Sequence, residues 1–400
     1  MSDPGETSVR ASRLKDVAFS LARDRGLGAL SARSLSSAAG SSPSAVNYHF
    51  GNRDLLVSEI CARTVEVAAA WRRDHQPGAT GEAPPWAELD HAFTGMMQAR
   101  LADRKGLVLL QELEQEAAGG AQGNIHPLIA AEVEAEAAFW RSLAVRHGAG
   151  PKAAETWANL ALGLTCLMLS EPDAGRRSAW ISSPASRLQR RANGRPVDLV
   201  VIDTPDAVAV GRAAPSHETA LKVLDAALEI IAQKGADRLS QREVALNAGV
   251  SLASVTYFFR TKSGLIGAAF DELCRRHCAT VADEYEGLDR ELPEVLLVFS
   301  GDRTLFGMAA TDALLRAAAR SPSLMATAED LRRTRGLTTE YLLRKCGFAV
   351  DRLDGYIWSC ILAGCGRRVR LLPVEQRQER MALAARDMLE VMFPVATRPR

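Results

Sequence analysis

The sequence predicts an all-α protein made of two tandem copies of one unit, and three observations carry that prediction. A stretch near the N-terminus repeats itself without a gap in the second half of the chain. Apolar residues recur at helical spacing through most of the length, and strand-like runs are confined to one short proline-rich connector.

The repeat is seen by writing LKDVAFSLARDRGLGALSARSLSSAAGSSPSAVNYHFGNRDLLV (residues 14–57) above VLDAALEIIAQKGADRLSQREVALNAGVSLASVTYFFRTKSGLI (residues 223–266). The shared tyrosines, Tyr48 and Tyr257, set one constant offset, and identities fall where geometry demands them. Gly26 and Gly235 are expected to close the first helix of each copy, where a left-handed residue is cheapest as glycine. Gly40 and Gly249 take the turn between the second and third helices for the same steric reason.

In the first helix, Leu14, Val17, Ala18, Leu21 and Ala22 form one apolar stripe, repeated as Val223, Ala226, Ala227, Ile230 and Ile231. The second helix starts after Ser31 or Ser240. Ser240-Gln-Arg-Glu243 reads as a capping box, whereas Ser34 in place of that glutamate leaves copy one with a simple cap. Ser42-Pro43 opens the third helix of copy one, which is expected to run to about Tyr48, and Ser251 opens its counterpart. Asn52 and Thr261 are expected to cap the fourth helix.

Beyond the first repeat, helical patterns run over 86–104, 107–118, 127–147 and 152–170, with a loop at 76–85 and a further helix within 174–191. Residues 197–202 and 207–210 suggest a small hairpin in the connector. The second half continues with helices over 263–286, 292–300, 302–320, 322–346, 350–371 and 374–392. This divides the chain into a first helix-turn-helix domain (1–52), a first helical domain (53–195), a linker (196–215), a second helix-turn-helix domain (216–261) and a second helical domain (262–400).

A composition of 47% hydrophobic and 24% charged residues is that of an ordinary soluble protein, and the formal charge of +1 neither favours nor opposes DNA. Seven unpaired-looking cysteines, no secretory leader and no apolar run of about 18 residues suggest a cytoplasmic protein with no membrane partner. No cofactor, metal or catalytic constellation is expected. Cys274, His277 and Cys278 lack a second ligand pair, Cys360 and Cys365 read as packing thiols, and Glu112, Glu114 and Glu116 as a solvated helix face.

The runs Gly40-Ser-Ser-Pro-Ser-Ala-Val-Asn-Tyr-His-Phe-Gly-Asn-Arg53 and Gly249-Val-Ser-Leu-Ala-Ser-Val-Thr-Tyr-Phe-Phe-Arg-Thr-Lys262 resemble the DNA-binding signature of the TetR family of bacterial transcriptional regulators. The resemblance covers the four-helix repeat; the remainder fits in length and helical pattern. It implies an N-terminal helix-turn-helix that reads the major groove, and a C-terminal helical domain that binds a small effector and dimerises. A typical member is about half as long, so this chain would contain the equivalent of a whole dimer, with the final helices of both halves meeting in a pseudo-dimer. Pairing of whole chains into a homodimer is equally permitted. Two departures stand out: Leu252 and Ala253 where many members carry Lys and Gly, and Ser41 and Pro43 at positions usually filled otherwise.

A helix of this size fits a major groove about 12 Å wide. The residues expected to face double-stranded DNA are Ser42, Ser44, Ala45 and Asn47 in copy one, and Ser251, Leu252, Ala253, Ser254 and Thr256 in copy two. Tyr48, Tyr257 and His49 are expected to donate to phosphate, with Arg53 and Lys262 adding charge and Arg33 and Arg242 meeting the backbone. Phe50 and Phe259 are expected to pack inward. Candidate linings for an unknown small-molecule effector are Met96, Met97, Phe139, Trp140, Trp157 and Met168 in the first half. Phe306, Met308, Tyr341 and Trp358 are those of the second. The function implied is a DNA-binding, small-molecule-responsive regulator of the repressor type. The alternative is a ligand-sensing or protein-interaction module with one or both recognition helices decayed.

Overall fold

Every regular element among the described residues is a helix, as the helical apolar spacing requires. The computed structural model describes residues 4–76, 88–119, 125–200, 217–285 and 301–394. In chain order the helices are α1 (Pro4–Arg25), α2 (Ala32–Ala39), α3 (Pro43–Phe50), α4 (Arg53–Asp74), α5 (Leu89–Arg100), α6 (Arg104–Ala118), α7 (Ile125–Arg146), α8 (Pro151–Met168) and α9 (Ala174–Ala192). They continue as α10 (Glu218–Lys234), α11 (Gln241–Asn247), α12 (Leu252–Phe258), α13 (Lys262–Tyr285), α14 (Asp302–Ala318), α15 (Met325–Thr334), α16 (Leu337–Lys345), α17 (Arg352–Val369) and α18 (Val374–Met392). Short 3-10 turns at Leu27–Ala29 and Ala236–Arg238 precede α2 and α11.

The chain forms two units, Met1–Gln76 with Asp103–Glu134, and Pro77–Ala102 with Ala135–Arg400. In the first, Leu14, Ala18 and Ala22 of α1 are buried with Leu35, Val46, Phe50, Leu56 and Ile60, one apolar stripe from each of four helices. Helix α6 packs on α1 and α4. Its acid run is not the solvated face expected: Glu112 accepts the Leu27 N–H at 2.9 Å, Glu116 pairs with Arg53 at 3.1 Å, and Glu114 is buried. The donors these carboxylates reach are the 3-10 turn and the first residue of α4, distant in sequence and invisible to helical periodicity.

In the second unit, α10 to α12 repeat the same core around Val223, Ala227, Ile231, Val244 and Val255. Helices α8, α9, α17 and α18 pack together, with α8 on α17 the most extensive helix pair. These are the penultimate and last helices of the two halves, so the pseudo-dimer expected from sequence is realised within one chain. Their crossing is set by glycine. A Cβ on Gly163 would overlap the Cys360 carbonyl oxygen, and one on Gly364 would overlap the Asn159 carbonyl oxygen.

Several expectations change in detail. Helix α3 runs on to Phe50, and α9 contains Pro184, because burying Ile181, Ala185 and Leu188 outweighs the one hydrogen bond a proline removes. The single helix expected over 322–346 is broken into α15 and α16 at Gly336, whose φ of 81° no helix permits and which lies against the backbone of Gly355. The capping expectation reverses. Ser31 and Ser34 make the full box, whereas the Glu243 side chain turns to Lys234 at 2.6 Å and leaves Ser240 a simple cap. The hairpin falls on residues 197–200, which hold no strand, and on residues outside the described ones. The loop at 76–85 and the helix at 292–300 lie largely or wholly outside them as well.

The four-helix packing holds a buried ionic corner. Arg187 grips Asp351 with both guanidinium nitrogens at 3.0 Å, and Arg191 reaches Asp354 at 2.6 and 3.1 Å. Burial pushes the Asp351 carboxyl up, but Arg187 and the N–H groups of Val200 and Asp354 outweigh it and hold the group below the ordinary carboxylate range.

Two predictions follow from this packing. Gly163→Ala or Gly364→Ala forces α8 and α17 apart and lowers unfolding stability by about 1–3 kcal/mol or more in a denaturant titration. Because Asp351 titrates below its unfolded value of about 3.9, its contribution is complete above that pH and drains away as pH falls through the folded value. Asp351→Asn therefore flattens that acid limb of the stability curve measured by thermal melting.

Candidate nucleic-acid interface

Each copy presents its third helix through the same local chemistry. Ser42 accepts the Ala45 N–H at 3.2 Å, and Ser251 accepts the Ser254 N–H at 3.0 Å, so both caps close the first turn. Gly40 and Gly249 hold φ of 61° and 65°, and a Cβ on either would meet nothing within 4 Å. Glycine is needed there for the left-handed backbone alone. Val46 and Val255 point into the core and anchor the helix. Asn52 and Thr261 accept N–H groups of Leu55 and Gly264 at 2.9 and 3.0 Å, fixing the start of α4 and α13.

The outward faces carry the expected residues. Tyr48 and Tyr257 are 81% and 80% exposed, far more than a core-rim aromatic needs. Beside Tyr48 lie exposed Ser44 and Asn47, half-buried Ala45, and His49, whose ring meets the tyrosine edge-on at 5.5 Å. Beside Tyr257 lie exposed Leu252, Ala253 and Thr256, with Ser254 half-buried. Phe50 is buried, and Phe259 is half-buried. Arg33 and Arg242 stand exposed on α2 and α11 and have no ion-pair partner among the described residues. No acidic residue occurs from Gly26 to Arg53 or from Val244 to Lys262, so no side-chain carboxylate within those stretches opposes a phosphate.

Other groups are already engaged. The hydroxyls of Ser42 and Ser44 lie 3.1 Å apart, those of Ser251 and Ser254 2.8 Å, and Thr256 donates back to the carbonyls of Leu252 and Ala253. Arg53 is paired with Glu116, and Lys262 donates to the Asp237 carbonyl at 2.5 Å. The oxygens of these hydroxyls still have lone pairs for a base donor, but both cations would have to leave an internal partner to meet a phosphate.

One positioning residue escaped the sequence reasoning. Gln241 at the start of α11 donates to the Phe259 carbonyl at 2.6 Å, tying the end of α12 to the helix before it. The matching residue in copy one is Ala32, so periodicity and capping rules gave no signal.

The effector candidates divide by burial. Met97, Phe139, Trp140, Trp157, Met168 and Trp358 are buried, Met96, Met308 and Tyr341 are half-buried, and Phe306 is exposed. Phe93, which the sequence reading did not select, joins Trp140 and Trp157 at centroid distances of 5.4 and 4.9 Å. Beside them Arg100 and Glu136 form a buried pair at 2.9 Å, and the Trp140 indole donates to Glu136 at 3.2 Å.

No group of three or more metal-ligating side chains occurs among the described residues, and the side chains of His277 and Cys278 lie outside them. Burial pushes the Cys360 and Cys365 thiols up to about 11 and about 12, so both stay protonated near neutrality. No helix among the described residues is long and apolar enough to cross a membrane.

Comparison with known families agrees with this geometry. The family model described as bacterial regulatory proteins, tetR family, matches the chain twice, at residues 14–60 and 223–269. No curated protein matches it. The matched segments run from within α1 into α4 and from within α10 into α13, and each contains one complete helix-turn-helix. The chain therefore carries the DNA-binding domain of the tetR family twice in one polypeptide.

Proposed function

We propose that this DNA-binding regulator is a small-molecule-responsive repressor that reads its operator through two unlike recognition helices. The observation that carries the DNA reading is the pair of tyrosines, Tyr48 and Tyr257, held at matching positions and turned to solvent on carboxylate-free helices. A phenolic O–H so placed donates to a phosphate oxygen and sets the helix in register.

Base reading differs between the heads. Asn47 offers the amide that pairs with an adenine edge, whereas Leu252 and Ala253 offer apolar contact to thymine methyl groups. The operator is accordingly an imperfect palindrome or an asymmetric site. Arg33 and Arg242 supply backbone contacts from the preceding helix.

The effector reading rests on the cluster of Phe93, Trp140 and Trp157 beside the buried Arg100–Glu136 pair, apolar rings with a few fixed polar groups among them. The buried Trp157 indole N–H has no acceptor among the described residues, and a ligand acceptor there would satisfy it. Within the first unit, Glu112 and Glu116 of α6 grip the helix-turn-helix domain. Release of a retarded operator fragment by an aromatic compound, abolished in Trp157→Ala, is the expected behaviour of such a site.

The DNA reading is tested on the protein's own promoter region by retardation at several salt concentrations. Binding weakens steeply as salt rises, through counterion release. Tyr48→Phe and Tyr257→Phe each lower affinity about tenfold, the worth of one hydrogen bond to a charged group, and leave melting unchanged because both side chains are exposed. Indifference to both substitutions would favour the alternative, a sensing or interaction module with decayed heads.

A further inference from the structure

The four helices that join the two halves repeat each other in length and in the residues at their closest contacts. Helices α8 and α17 are both 18 residues long, and α9 and α18 are both 19. Side by side, Trp157 and Gly163 of α8 coincide with Trp358 and Gly364 of α17. Buried Ile181, Ala185 and Leu188 of α9 coincide with buried Met381, Ala385 and Met388 of α18. The backbone contacts follow a two-fold pattern. Gly163 meets the carbonyl of Cys360, Gly364 meets that of Asn159, and positions 159 and 360 are themselves a matching pair. Such a backbone would accept a first half against a second, a first against a first, or a second against a second.

The charges break that symmetry. At one corner α17 begins with acids: Asp351 and Asp354 face Arg187 and Arg191 of α9, with closest approaches of 3.0 and 2.6 Å. At the matching corner the signs are exchanged. Lys152 begins α8 and faces Asp387 and Glu390 of α18 at 3.4 and 2.5 Å. Arg187 and Asp387 occupy matching positions on α9 and α18. A lysine in the first turn of a helix opposes the helix dipole, so its placement is explained by these two carboxylates rather than by its own helix. Along the crossing, Arg368 of α17 reaches Glu155 and Asn159 of α8. The α8 position matching Arg368 is Leu167, and the α17 positions matching Glu155 and Asn159 are Tyr356 and Cys360.

We infer that the two halves are coded by charge to pair with each other and not with themselves, so that this helical surface is closed within one chain and the protein is a monomer in solution. A first half against a first would set Arg187 and Arg190, which match Asp387 and Glu390, beside Lys152 and leave Glu155 facing Leu167. A second half against a second would set Asp387 beside Asp351 and Asp354, and bring Arg368 to Tyr356 and Cys360. Both self-pairings collect like charges at both corners. The corner of Arg187, Arg191, Asp351 and Asp354 is buried, so mispairing there strands charges away from water. The Lys152 corner is half exposed and adds less. Discrimination between partners rests on such repulsive alternatives as much as on the attractive pairing.

The test uses the full chain and light scattering coupled to gel filtration. The unaltered protein is expected to keep the mass of one chain, 43.1 kDa, at every concentration; a two-chain mass overturns the inference. Arg187→Glu with Arg191→Glu makes the first half self-complementary, and the expected result is two-chain or larger species. Adding Asp351→Lys and Asp354→Lys to that variant exchanges the signs of the whole corner, so opposite charges meet across it again and the melting temperature is restored. An unchanged mass and melting temperature in the first of these variants overturns the code. If that buried variant fails to fold, the exposed corner decides. Lys152→Glu lowers the melting temperature by about 1–3 °C, and Asp387→Lys with Glu390→Lys added to it restores the loss. Failure of the added reversal to restore it counts against the code.

Discussion

The close crossing of α8 and α17 is the constraint on which the arrangement of the second unit depends. Two backbones approach near Gly163 and Gly364 until each glycine rests on a carbonyl of the other helix, and that distance leaves no room for a methyl group. Trp157 and Trp358 are both fully buried on these helices. The crossing brings α9 and α18 into the same packing, and with them the buried arginine–aspartate corner. Apolar burial supplies the drive, as in any helical core. The ionic corner adds specificity, since its parts are costly to bury in any other pairing.

The reading heads follow a different economy. Each is a small core of a few stripes, held in shape by caps and by one left-handed glycine rather than by extensive burial. What they present is correspondingly simple: a short helix with small polar or apolar residues at its start and one exposed tyrosine near its end. The two heads share their scaffold and differ in their reading faces, with Asn47 and His49 on one and Thr256 and Phe258 on the other. They differ again in how the scaffold is braced. Copy one uses carboxylates of α6 against Leu27 and Arg53, whereas in copy two Arg320, just beyond α14, lies 3.8 Å from Asp237 of the 3-10 turn. The turn is braced by a carboxylate on a backbone N–H in copy one and by a guanidinium beside a carboxylate in copy two, so the copies have diverged in chemistry.

Much of the site was legible because its determinants are local. Capping serines, a proline at the first helical position, a glycine in the turn and an apolar stripe all act within a few residues, and the gap-free repeat showed each of them twice. The outward tyrosines could be named for the same reason. The engagement of Arg53 and Lys262, the bracing by Gln241 and the burial of Glu114 could not, because each partner lies on another element. The capping box was assigned to the wrong copy for a related reason: Lys234 is nine residues from Glu243 and draws its side chain away.

From the sequence alone came the helical class, the duplication, the two heads and the residues they turn outward, because periodicity, caps and left-handed glycines are properties of short stretches. The tertiary structure alone decided which helices of the two halves meet, that Gly163 and Gly364 are the point of closest approach, and that the charges at the two corners are opposite in sign. Those features depend on side chains some 160 to 240 residues apart becoming neighbours, and no local rule carries information over that separation.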